Sequence, residues 1–125
     1  MNVVDSSGWL EYFADGPNAS FFEPAILDLK NLVVPTLSLF EVFKRIILQK
    51  DEGSALEAVA IMQQGNVVDL STALALDAAR LSVELKIPMA DSIVLATSRS
   101  FNEVLWTQDS DFTGIDNVNL CVKKC

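Results

Sequence analysis

The sequence predicts an α/β fold in which a mostly parallel central sheet is covered by helices on both sides. Two observations carry this expectation. Short valine-rich runs alternate with longer helical stretches along the whole chain, the order that gives a parallel sheet with helices in its crossovers. The chain has 125 residues, 50% of them apolar, which is enough to bury a substantial core and argues against disorder. No linker, internal repeat or second domain stands out, so residues 1–125 are expected to form one domain.

Residues 2–5, NVVD, read as a short buried strand. Ser6, Ser7 and Gly8 open a turn or helix that offers Trp9, Leu10, Tyr12 and Phe13 as apolar surface, and Gly16, Pro17 and Asn18 break it. A short helix is expected over 21–29 and a second strand over 32–34, closed by Pro35. Thr36 or Ser38 caps the next helix, and Ser38 with Glu41 has the spacing of a capping box. A helix over 54–64, a strand over 66–71 and a helix over 72–86 follow, the last with Leu74, Ala78, Leu81 and Leu85 on one side. Pro88 interrupts the pattern, and the helix resumes from Ala90 to about Ser100. Strands at 104–107 and 118–122 enclose a loop in which Phe112 is expected to anchor to the core.

The composition excludes whole classes of chemistry. With no histidine, there is no histidine base, no Ser/His or Cys/His triad and no zinc site with histidine ligands. The two cysteines, Cys121 and Cys125, are too few for a disulfide scaffold and read as free thiols. No secretion signal or membrane span is apparent, which makes the cytoplasm the expected compartment. A formal charge of −8 argues against broad, nonspecific coating of nucleic acid. It is compatible with a small local site whose charge bound cations offset, and it leaves room for a basic partner.

Acids fall at or near the ends of four apolar segments: Asp5 after the first strand, Glu41 in LSLFEVFKRII, Asp91 in ADSIVLATS and Asp109 after EVLWT. A carboxylate in apolar surroundings is costly without compensation. Ligands of open parallel sheets bind beyond the C-terminal strand ends, where Asp5 and Asp109 lie. Helix starts at the same edge would bring in Glu41 and Asp91. Four gathered carboxylates call for a divalent cation, and Mg2+ or Mn2+ prefers such hard oxygen ligands. One ion can activate water and a second can stabilise the leaving oxygen of a phosphodiester, so the acids point to a metal-dependent hydrolase, most plausibly a nuclease. Asp5 and Asp91 are the expected central ligands, Glu41 binds directly or through water, and Asp109 completes the acidic wall. Asp111 either joins the site or faces water.

Ordinary explanations stand beside each assignment. Asp5 and Asp91 suit helix starts, Glu41 suits the capping box, and Asp109 and Asp111 suit a loop. Thr107 either orients Asp109 or is a strand-end hydroxyl. Ser6 and Ser7 either bond phosphate and carboxylates or form the turn. Arg80, Lys86 and Arg99 are candidate phosphate contacts on the rim, or solvated helix charges.

The segments VVDSSGWLEYF, VPTLSLFEVFKRI, PMADSIVLATS and WTQDSDF together resemble the PIN domain, and within it the VapC-type toxins of toxin–antitoxin pairs. They span nearly the whole chain in the family's order. The resemblance implies the three-layer α/β/α PIN fold and a Mg2+- or Mn2+-dependent endoribonuclease. It implies metal ligation by Asp5, Glu41, Asp91 and Asp109, with Asp111 at the family's more variable acidic position. It also implies an RNA substrate, a cognate antitoxin that wraps or plugs the site, and a homodimer. Ser92 stands where related toxins often have alanine. Three alternatives remain open: a noncatalytic binding or regulatory module on this fold, a metal-dependent DNA nuclease, and a phosphatase. A response-regulator-like phosphoacceptor is more distant, because no lysine sits at a late strand terminus.

Overall fold

The computed structural model describes residues 1–122. The reading placed on Cys125 falls outside them. β1 (Asn2–Val4) leads into α1 (Ser6–Phe13) and α2 (Ala19–Leu27), and a 3₁₀ turn at Leu29–Asn31 precedes β2 (Leu32–Pro35). α3 (Thr36–Gln49), α4 (Glu52–Met62), β3 (Asn66–Val68), α5 (Thr72–Leu85) and α6 (Met89–Ser100) follow. β4 (Val104–Thr107), a 3₁₀ turn at Ser110–Phe112 and β5 (Val118–Leu120) close the described chain.

The five strands form one sheet in the order β3-β2-β1-β4-β5, and every neighbouring pair is parallel. The register sets Val3 beside both Val33 and Leu105. These three residues face one layer, where they pack with Val94 and Leu95 of α6, Ile87 and Phe112. Val4, Leu32 and Val34 face the other layer and meet Trp9, Phe22, Val42 and Met62 from α1, α2, α3 and α4. Strand side chains alternate between faces, so a run such as NVV supplies both cores at once. The α/β/α three-layer expectation is met, and Phe112 anchors its loop as expected, being 1% exposed.

α6 is the most enclosed helix: Asp91 to Ser98 are all buried. Its hydroxyls are tolerated there because they return to the backbone. Ser92 donates to Met89 O at 2.7 Å, Thr97 to Ile93 O at 2.9 Å and Ser98 to Glu103 O at 2.8 Å. Gly8 lets α1 approach α2, since a Cβ there would meet the Phe22 ring at 2.6 Å.

Several boundaries differ from the sequence expectations for local reasons. The 66–71 strand contracts to Asn66–Val68: Ser71 is needed as the α5 cap, where its Oγ accepts from Leu74 N at 3.2 Å. The 54–64 helix is displaced to Glu52–Met62, capped by Asp51, whose side chain accepts from Ser54 N at 2.7 Å. The 21–29 helix begins at Ala19 and ends at Leu27. α5 stops at Leu85, with Lys86 in the left-handed region at φ 57°. The capping box of Ser38 and Glu41 does not form. α3 begins at Thr36, behind Pro35, with no side-chain cap, and Ser38 Oγ is buried without a hydrogen-bond partner.

Candidate metal centre

The chain winds outward from β1 to β2 and β3, then returns to β4 on the other side of β1. The crevice at the C-terminal ends of β1 and β4 is therefore the topological switch point, where open parallel sheets bind ligands. Asp5 follows β1 directly, and its N–H donates to Trp106 O of β4 at 2.9 Å. That bond carries the sheet pairing one residue further and sets Asp5 beside Thr107.

Asp5 is only 4% exposed. It stands at the N-cap position of α1 but makes no side-chain hydrogen bond that caps the helix. Its Oδ2 instead accepts from Ser7 Oγ at 2.9 Å and from Thr107 Oγ1 at 3.0 Å. Thr107 Oγ1 in turn accepts from Asp109 N at 3.0 Å, and Asp109 Oδ1 accepts from Asp111 N at 2.9 Å. One chain of bonds thus fixes the end of β1 to the loop after β4. Thr107 serves Asp5 with its hydroxyl proton and Asp109 with its lone pair. Ser7 fills a bonding role that its turn position alone does not explain.

Asp91 comes from a different layer. It lies in the first turn of α6 and is 9% exposed. Carboxylate oxygens of Asp91, Asp109 and Asp111 lie within 4.8 Å of one another, so Asp111 belongs to the tightest group. Asp5 and Glu41 are outside that triad but line the same cleft as Asp91 and Asp109, a space of about 370 Å³. Glu41 reaches the cleft from the second turn of α3 and is partly buried. The sequence-selected acids therefore converge from β1, α3, α6 and the loop after β4.

The electrostatics match the crowding. Burial raises the Asp5 carboxyl, and the Asp109 charge adds to it, while the Ser7 and Thr107 hydrogen bonds pull the other way. Glu41 is raised by burial and then by Asp5. Asp91 is pushed up to about 8, first by burial and then by the charges of Asp109 and Asp5. A hard divalent cation fits this donor set, which is all carboxylate oxygen and includes a triad at chelating separation.

Several cleft residues were not singled out from the sequence. Arg45 lines the cleft one turn after Glu41, a placement the four-residue spacing signals. Glu11 and Gln108 also line it. Gln108 is held by Asn18, whose Nδ2 donates to its Oε1 at 3.0 Å, and Glu11 accepts from Asn18 N at 2.7 Å. The Asn18–Gln108 link joins segments 90 residues apart, so nothing local in the sequence marks Gln108. The proposed rim cations are placed elsewhere: Arg80, Lys86 and Arg99 do not line the cleft, and Arg80 pairs with Asp77 at 2.7 Å.

Comparison with solved structures places this architecture among known folds. The chain is similar to a toxin–antitoxin complex component from Klebsiella pneumoniae, with TM-score 0.79, 21% identity and coverage of 95% of this chain and 96% of that one. It is similar to VapC20 of Mycobacterium tuberculosis, described as a sarcin–ricin loop cleaving toxin, with TM-score 0.77, 17% identity and coverage of 93% and 95%. A chain of DNA-bound VapBC from Salmonella typhimurium aligns with TM-score 0.76, 15% identity and coverage of 97% and 96%. Sequence comparison with curated proteins gives no match. The PIN domain pattern, by contrast, matches residues 3–118, nearly the whole length, and the chain belongs to the PIN-domain family.

Proposed function

We propose that this chain is a metal-dependent endoribonuclease, a single PIN nuclease unit over residues 1–125 that acts as the toxin of a toxin–antitoxin pair. The observation that carries the reading is the convergence of Asp5, Glu41, Asp91 and Asp109 on one cleft at the sheet's switch point. In this reading Asp5, Glu41, Asp91 and Asp109 hold Mg2+ or Mn2+, Glu41 directly or through water, and Asp111 stands beside Asp91 and Asp109 as a further candidate ligand. The bound ion would supply water activation and charge stabilisation at the scissile phosphate. The chain's own residues do the rest. Ser7 and Thr107 hold the Asp5 carboxylate in orientation, and Thr107 fixes the Asp109 backbone. Asp111 N–H orients the Asp109 carboxylate. Burial and mutual repulsion raise the Asp5 and Asp91 carboxyls, a cost to their charged forms that a bound cation would offset.

An apolar groove of about 240 Å³ between α1, α3 and α4, lined by Leu10, Phe13, Ile46 and Ile61, adjoins the cleft and shares Leu10, Ala14 and Gln49 with it. It suits the antitoxin segment expected to plug the site. Exposed Leu76 and Val83 on α5 give the expected homodimer an apolar face. The low-identity relatives described as toxin–antitoxin complexes support the antitoxin partner. No helix among the described residues is long and apolar enough to cross a membrane, in line with the cytoplasmic proposal. The charge of −8 favours one other reading, a noncatalytic PIN-fold binding module.

The test is cleavage by partner-free protein of single-stranded and structured RNA, DNA and small phosphoesters, with and without Mg2+ or Mn2+. The expected result is ion-dependent RNA cleavage that is lost in the Asp5→Asn/Asp91→Asn double variant. Cleavage preserved in that variant overturns the mechanism. Intact folding and partner binding without cleavage of any substrate favours the binding module.

A further inference from the structure

α3 turns two rows of side chains outward. Glu41, Arg45 and Gln49, each four residues apart, line the acid cleft. Phe40, Lys44 and Leu48 form the next row and line a second groove of about 300 Å³. The two depressions share Ser6, Leu10, Glu41 and Arg45, so they are continuous around the α3 ridge. The second groove differs in character from the first. Phe40 is 61% exposed and Leu48 is 73% exposed, and the Lys44 ammonium lies 5.8 Å from the Phe40 ring centroid. Neither Lys44 nor Arg45 has an ion pair among the described residues, where the salt bridge is Arg80–Asp77.

These features sit together at the rim of the acid cleft. A chain of formal charge −8 has carboxylates to spare, yet two adjacent cations beside the acid cleft have no ion-pair partner among the described residues. The Phe40 ring stands mostly in water beside them. Interleaved cations and an exposed aromatic face are what a single-stranded nucleic acid requires: charge for the backbone and a platform on which an unpaired base stacks. A duplex hides its base faces and gains nothing from Phe40.

We propose that Phe40, Lys44 and Arg45 form a ledge that binds single-stranded nucleic acid and guides its backbone into the acid cleft. Arg45 meets the phosphate nearest the acids, Lys44 the next one outward, and Phe40 stacks under an unpaired base. The direction of entry rests on the nuclease reading above. The binding itself rests only on the ledge.

The test measures affinity by fluorescence anisotropy for labelled oligoadenylate, oligouridylate and an RNA duplex. It uses an Asp91→Asn background in Mg2+, so that substrate is not consumed. Phe40→Ala is expected to weaken single-strand binding by about tenfold, more for oligoadenylate than for oligouridylate, and Phe40→Trp to restore it. Arg45→Ala and Lys44→Ala are each expected to lower the slope of log affinity against log salt by about 0.7. Unchanged single-strand affinity in all three alanine variants overturns the ledge, as does preference for the duplex or absence of any RNA binding. A Phe40→Ala variant that alters self-association on sedimentation while leaving RNA affinity intact also overturns it, and assigns the face to a protein partner. Kinetics of the otherwise unaltered protein separate the two proposals. Cleavage with an unchanged KM in the ledge variants removes the ledge alone. Ledge-dependent binding without cleavage under any divalent ion supports the ledge and removes the nuclease reading alone.

Discussion

Thr107 does the most with the fewest atoms. Its hydroxyl donates to Asp5 and accepts from the Asp109 amide, so removing it strands one buried donor and deprives a buried carboxylate of a partner. We expect Thr107→Val to lower stability by about 1–3 kcal/mol in urea unfolding and to weaken Mn2+ binding, with Thr107→Ser recovering most of both. A Thr107→Val protein with normal stability and metal affinity would show the hydroxyl to be incidental. Glu103 poses the opposite case. It is 2% exposed, and both carboxylate oxygens lack a hydrogen-bond partner. Burial pushes it up to about 7, against a small opposing effect of the terminal ammonium. A carboxyl raised on folding contributes stability that is complete below its unfolded value and lost as pH rises through its folded value. Glu103 therefore costs stability as pH rises from its ordinary carboxyl range to about 7, and the full cost stands above that. Glu103→Gln should remove that slope and gain about 1–2 kcal/mol at alkaline pH after allowance for solvent screening. Identical pH profiles for the two proteins by thermal melting would contradict this.

Helices and strands tell the same story at the next scale. α3 begins at Thr36 behind Pro35, which leaves Ser38 inside the helix with its Oγ unpartnered. Ser38→Ala is accordingly expected to be neutral or stabilising by up to about 1 kcal/mol, whereas a working capping box would make it destabilising by about that amount. Chemical denaturation distinguishes the two. The misreading has a physical source: a serine and a glutamate three apart have the same spacing at a helix start and within its first two turns, and only the backbone of Pro35 decides which is present. Other features were legible because they are local. The valine run closed by Pro35 marked a strand and Pro88 marked a break, and ADSIVLATS read as helix and is the most buried one. The site was legible only in part. The acids could be chosen because each ends or enters an apolar segment, but their common cleft depends on the strand order, in which β4 inserts beside β1. Asp111 entered the tight triad through a 3₁₀ turn too short to leave a sequence pattern. Gln108 and Asn18 meet only through tertiary structure.

The whole molecule is a scaffold that holds like charges together at the edge of its sheet. Asp5, Glu41 and Asp91 all have carboxyls raised by burial first. Each therefore stabilises the metal-free fold while protonated and ceases to do so as pH rises through its folded value. For Asp91 that window closes at about 8. Metal-free protein should thus melt lower at about pH 9 than at about pH 6, with saturating Mg2+ raising the melting temperature more at the higher pH, where the acids need not first release protons. A Mg2+ effect independent of pH would separate the ion from these carboxyls. The central claim is that carboxylates from distant segments share one cation, and calorimetric titration with Mn2+ addresses it most directly. The original sequence should bind Mn2+, and Asp91→Asn should weaken that binding at least about tenfold, the loss of one charged ligand. Equal Mn2+ affinity in the original and Asp91→Asn proteins would contradict the account.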